Sequence, residues 1–138
     1  MDLDVLRDQY RGTTLPKLVE KQIRSFDEAT TLKAIQGTFA NFPAAHRPDL
    51  DTFTQDYLAE RWFGPHIVKQ DLAVLFSETI RDIQGMSEAK GYAFSSERAF
   101  DLFNIMVLKM AWFAHSRPDF RRDLGIKKGW FSSARGPG

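Results

Sequence analysis

Cysteine is absent from the 138 residues, which excludes a disulfide framework, a thiolate nucleophile, an iron–sulfur cluster and a cysteine-type zinc site. The nine glycines are scattered, so there is no Walker-type phosphate loop, no dinucleotide fingerprint and no G-x-S-x-G nucleophile turn. Charge of one sign is not in excess either. Nineteen Lys and Arg against eighteen Asp and Glu leave a formal net charge of +1, and such a balance creates no overall field to draw in nucleic acid or acidic partners.

Long apolar runs are also missing. The most apolar window, Ala99 to Ala114, is interrupted by Asp101, Asn104 and Lys109. A bilayer centre penalises each charge by about 2.5–3.5 kcal/mol, so this window is expected to be a core helix and not a membrane span. The opening ten residues, MDLDVLRDQY, hold three aspartates and lack the basic and apolar regions of a signal peptide, which makes a cytoplasmic location the expectation. No stretch alternates apolar and polar residues with β-branched enrichment, so no sheet is expected.

What the chain does have is apolar residues returning at helical spacing. Leu15, Leu18, Val19, Ile23 and Phe26 share one stripe, with Thr14 as its cap and Pro16 in the first turn, where a missing N–H is harmless. Ser25 and Glu28 have capping-box spacing, which predicts a helix from about Phe26 to Asn41 with the stripe Ala29, Leu32, Ile35 and Phe39. A further stripe, Leu50, Phe53, Tyr57, Leu58 and Trp62, is closed by Gly64 and Pro65, so Trp62-Phe63-Gly64-Pro65-His66 forms a corner between helices. The next helix carries Val68, Leu72, Leu75, Phe76, Thr79, Ile80 and Ile83 and is expected to end near Gly85. Ser95 or Ser96 caps the longest helix, which runs to about Ser116, and a short one follows from Asp119 to Leu124. The expectation is an all-α, single-domain, irregular bundle of six or seven helices over residues 1–131, with a central, mostly buried helix near residues 96–116 and a disordered tail at 132–138.

One piece of sequence is used twice: AHRPDL at residues 45–50 and AHSRPDF at residues 114–120. Aligned on the shared Pro-Asp, the flanks show no identity, so the pair is not the trace of a duplicated domain. It has the chemistry of helix punctuation. Proline disfavours helical geometry at the residue before it, which predicts breaks at Arg47 and Arg117. Asp49 and Asp119 then fall in the first turn of a helix that restarts by Leu50 and Phe120, where a carboxylate suits the free N–H groups.

Function is less legible. On a helical wheel, Phe100, Phe103, Met106, Val107, Met110, Phe113 and Ala114 make one broad apolar side of the longest helix, while Ile105, Leu108 and Trp112 share the other with Asp101, Asn104, Lys109 and His115. Such a mixed strip suits a partner groove or small-ligand pocket, but a neighbouring helix that covers its apolar members is the favoured account. Twelve Phe and three Trp are more aromatic area than a domain of this size readily buries, and exposed aromatics mark interfaces. The expectation is therefore a small protein-interaction or regulatory module acting by noncovalent binding, with self-association as one form of it. Its candidate binding residues are Trp62, Phe63, Asp101, Ile105, Leu108, Lys109, Trp112 and His115.

Two alternatives stand beside it. From Arg117 onward, six cations, including Arg121, Arg122, Lys127 and Lys128, outnumber the carboxylates of Asp119 and Asp123, with Trp130 among them; this segment suits salt-sensitive contact with phosphates and bases. A tail with Trp130-Phe131 tucked against the bundle is the favoured account of it. An enzyme or ligand-binding site on the mixed strip is the second alternative, and the lean is against catalysis. His46, His66 and His115 show none of the close pairing typical of metal sites, so no metal and no cofactor is expected.

Overall fold

In the computed structural model, which describes residues 1–126, the chain is an all-α, single-domain bundle. Among these residues there are seven α-helices: α1 (Leu3–Gln9), α2 (Leu15–Arg24), α3 (Glu28–Phe39), α4 (Arg47–Arg61), α5 (Leu72–Lys90), α6 (Ser96–Ser116) and α7 (Pro118–Asp123). Single 3₁₀ turns at Ala44–His46 and Pro65–Val68 precede α4 and α5. The only extended pairing among the described residues is an isolated bridge between Thr14 and Asp71. Lys127, Lys128, Trp130 and the expected tail at 132–138 lie outside the described residues.

α6 is the axis of the molecule. Its 21 residues span about 31 Å at 1.5 Å per residue, and α2, α3, α4, α5 and α7 all pack against it. Ile105, Lys109, Leu102, Met106, Met110, Phe103, Val107 and Ala111 are all buried. At 100° per residue they occupy about two-thirds of its circumference, well beyond the stripe of a helix lying at a surface. Ser95 starts α6 by accepting the Arg98 N–H at 3.2 Å. Around α6, Trp62, Phe76 and Phe103 form an edge-on aromatic core, with ring centroids 5.6 Å apart for Trp62–Phe103 and 4.9 Å for Phe76–Phe103, the favoured geometry for such rings.

Polar ties fix the remaining elements. The Tyr57 hydroxyl donates to Asp82 at 2.7 Å and the Trp62 indole N–H donates to Thr79 at 3.3 Å, joining α4 to α5. Burial, reinforced by the hydrogen bond to Asp82, pushes the Tyr57 phenol far above its ordinary range. Asp71 caps α5 by accepting the Ala73 N–H and reaches across the fold to accept the Gly12 N–H, at 2.8 and 2.9 Å. Those two backbone donors, Gly12 first, hold its carboxyl below the usual value.

Several expectations need correcting. The Ser25–Glu28 capping box does not form: Ser25 ends α2, and Asp27 caps α3 by accepting the Thr30 N–H at 2.8 Å. Asp27 is also an effective N-cap and stands directly before the helix. Of the stripe proposed for α3, Ile35 is buried, Phe39 is half-buried, and Ala29 and Leu32 face solvent. α5 runs through Gly85 to Lys90 and ends at Gly91. A mid-helix glycine carries a penalty of only about 1 kcal/mol, and burial of Ile83 and Ser87 on either side of it outweighs that. The acidic opening residues form α1, whose Asp2 cap accepts the Asp4 N–H at 2.9 Å. Arg47 does not break the helix. It is the first residue of α4 with φ −60° and ψ −44°, and the break falls at Pro43. At the second copy the break falls as expected, with Arg117 extended at φ −123° and ψ 104°.

Candidate functional site

The Trp62–His66 corner is where the fold leaves aromatic surface open. α4 ends at Arg61, and Trp62 turns inward, where the core buries it completely. Phe63 must therefore turn outward, and it keeps 45% of its surface exposed. The following residue is glycine for a steric reason. The His66 ring folds back over it, and a Cβ at Gly64 would lie 2.5 Å from the imidazole Cε1.

α7 builds the opposite wall. Pro118 opens it after the extended Arg117, and Arg121, almost fully buried, donates to the Ala114 and His115 carbonyls at 3.1 and 3.5 Å. These are carbonyls at the end of α6 with no partner further along their own helix. Thus held, α7 sets Phe120 edge-on against Phe63 with centroids 4.9 Å apart, and Phe113 of α6 stands 6.4 Å from Phe63. Phe63, Pro65, Val68, Phe120 and Leu124 line a groove of about 550 Å³, together with the charged Lys69 and Asp123. A mostly apolar lining favours burial of an apolar group at roughly 25 cal/mol per Å² of surface removed from water.

The mixed strip of α6 is engaged by neighbouring elements along most of its length, with His115 at its end still exposed. Ile105 is fully buried. Lys109 donates to Asp51 and Thr54, both at 2.7 Å, and to Gln55 at 3.3 Å, with its ammonium 5.7 Å from the Phe39 ring centre. Asp101 pairs with Arg98 at 2.7 Å and accepts from Asn41 at 3.2 Å. Trp112 meets Phe26 edge-on at 6.1 Å and His115 stacks on Phe26 at 4.0 Å, while Leu108 is half-buried against the core. The structure thus separates the eight candidate binding residues: only Phe63 faces the groove with substantial exposed surface.

The basic segment is divided as well. Arg117 lies over the Phe113 ring at 5.3 Å, Arg121 is withdrawn from solvent, and Arg122 pairs with Asp119. The three histidines do not share a site. His115 stacks on Phe26, His66 covers Gly64, and His46 stacks on Tyr92 at 4.0 Å. Among the described residues no group of three or more His, Cys, Asp or Glu is placed to hold a metal ion. The Tyr92 hydroxyl donates to Asp49 at 2.8 Å, and Lys90 pairs with the same carboxylate at 2.6 Å. Lys90 first, then Tyr92, hold the Asp49 carboxyl below its usual value.

Among the described residues no buried side-chain nitrogen or oxygen lacks a hydrogen-bond partner, so the interior offers no waiting polar group to a ligand. Sequence reasoning finds the Trp62-Phe63 corner and misses Val68, Phe120 and Leu124 as its partners. Phe120 and Leu124 belong to a six-residue helix and its cap, too short for a periodic signal, and Val68 reads as part of the α5 stripe. Comparison with known proteins finds no matching family model, no matching curated protein and no matching solved structure.

Proposed function

We propose that this chain is a small helical interaction module, and that it binds a protein partner by taking an apolar side chain of that partner into the Phe63–Phe120 groove. The observation that carries this reading is Phe63 itself, an aromatic side chain nearly half exposed beside two further phenylalanines. Its ring already packs edge-on against those neighbours, so an added aromatic side chain meets a partly ordered ring at little ordering cost. The test works whatever the partner is. A random peptide library panned on the full chain is expected to enrich sequences with a large apolar or aromatic anchor, and Phe63→Glu is expected to weaken those peptides at least tenfold while leaving the helical circular dichroism unchanged. Enrichment indifferent to Phe63→Glu, or no enrichment, would overturn the reading.

A further inference from the structure

The Phe63–Phe120 groove is mostly apolar, yet two charges of opposite sign line it, Lys69 and Asp123. Lys69 follows the 3₁₀ turn Pro65–Val68 on one wall, and Asp123 closes α7 on the other. Both residues are exposed. Neither charged group has a partner among the described residues, so the two do not pair with each other either. Their neighbours are engaged. On α7, Asp119 pairs with Arg122, and Arg121 is turned onto the carbonyls that end α6. On the opposite wall, Gln70 donates to Glu78 at 3.4 Å and Asp71 caps α5. The polar groups around the groove are thus satisfied, while the two ions that line it stay open.

Asp123 also stands where the fold gains nothing from it. It is the last residue of α7, and the carboxyl end of a helix favours cations and disfavours carboxylates. The two cations of that last turn, Arg121 and Arg122, are held elsewhere. A charge set against its local preference, with no compensating contact in its own fold, points to a contact outside it.

We infer that Lys69 and Asp123 set the specificity of the groove: beside its apolar anchor, the partner segment carries a cation that pairs with Asp123 and a carboxylate that pairs with Lys69. This rests on the docking reading of that groove. Covering the groove withdraws both ions from water, and an ion withdrawn without a counter-charge is strongly unfavourable. A segment with both signs beside its anchor satisfies the two ions. A segment with the same anchor and the wrong signs is rejected, because like charges brought together at an interface oppose binding. Apolar contact therefore supplies affinity, and the ion pairs supply selection. Asp123 is the stronger selector, since a cation placed there also relieves the unfavourable helix end.

Peptides selected on the full chain from a random library are expected to hold a Lys or Arg and an Asp or Glu within about four residues of the anchor, about 14 Å of extended chain. Asp123→Asn is expected to weaken such a peptide about tenfold and Lys69→Gln about threefold. Once the peptide's own cation is replaced by alanine, Asp123→Asn is expected to change its affinity less than about twofold, and Lys69→Gln likewise once the peptide's carboxylate is replaced. Both side chains are exposed, so helical circular dichroism is expected to stay unchanged in the two variants. Selected peptides that need Phe63 but show no charge preference, or losses that persist after the peptide's charge is removed, would overturn the ion pairing and leave the docking reading standing. Enrichment indifferent to Phe63→Glu, or none at all, would remove both.

Discussion

AHRPDL and AHSRPDF share a vocabulary and build different joints. At the first, Arg47 stays helical and its guanidinium donates to the Phe42 carbonyl at 3.0 Å, near the end of α3. The chain enters α4 directly from a 3₁₀ turn. At the second, Arg117 is extended and its cation lies over Phe113, while a different arginine, Arg121, reaches back to the carbonyls that end α6. In each joint an arginine beyond the proline or just before it serves the helix behind. Which arginine does so depends on how sharply the chain turns. The pre-proline preference is a bias of limited strength, and at Arg47 the backbone's path toward α4 and the side chain's bond to Phe42 outweigh it. The two aspartates diverge in the same way. Asp49 is gripped by Lys90 and Tyr92, whereas Asp119 pairs with the exposed Arg122.

The sharpest way to break this contrast is at the buried arginine. Arg121→Met removes charge-assisted bonds to two helix-end carbonyls and leaves the buried one, that of Ala114, without this donor, so it is expected to destabilise the fold by about 2–3 kcal/mol, measured by urea denaturation. A loss below about 0.5 kcal/mol would mean that the second joint is held by apolar packing alone. Arg47→Ala, whose bond to Phe42 is only part-buried, is expected to lose about 1 kcal/mol. Equal losses at the two arginines would erase the difference between the joints. The smallest effect belongs to Asp119→Ala. Its pair with Arg122 is solvent-exposed on both sides, and such pairs contribute less than about 0.5 kcal/mol.

Acid sharpens the same comparison. The folded pKa of Asp49 lies below its ordinary value of 3.8 because Lys90, then Tyr92, stabilise the carboxylate. Its contribution is therefore fully present above the unfolded value and is lost as pH falls through the folded one. The stability difference between the wild type and Asp49→Asn is expected to be constant near neutrality and to vanish in strong acid. A difference that persists unchanged into strong acid would show that the contact does not depend on the Asp49 charge.

Helix identity is legible wherever several apolar residues repeat: α2, α4, α5 and α6 each announce themselves by spacing. What sequence cannot supply is context. Gly85 looks like a stop until the burial of its neighbours is known, and Ser25 looks like a cap until Asp27 is seen to take that place. The candidate site is half-visible for a similar reason. Phe63 declares itself by sitting beside a Gly-Pro corner, but Phe120 and Leu124 come from α7 and its cap, and nothing local links α4 to residues so far along the chain. Conversely, the mixed strip of α6 resembles a site because polar residues interrupt it. Lys109 is there to meet Asp51 and Thr54 on α4, a pairing only the tertiary structure reveals.

The central place of α6 has a consequence for how the chain comes into being. Synthesis proceeds from the amino end, and domains acquire structure as their partners emerge. Here α2, α3, α4 and α5 all lean on a helix that begins only at Ser96, so the faces they turn toward α6 leave the ribosome uncovered. The nascent chain waits for its keystone, and during that interval its greatest exposure to aggregation or to a chaperone falls before Ser116 has appeared.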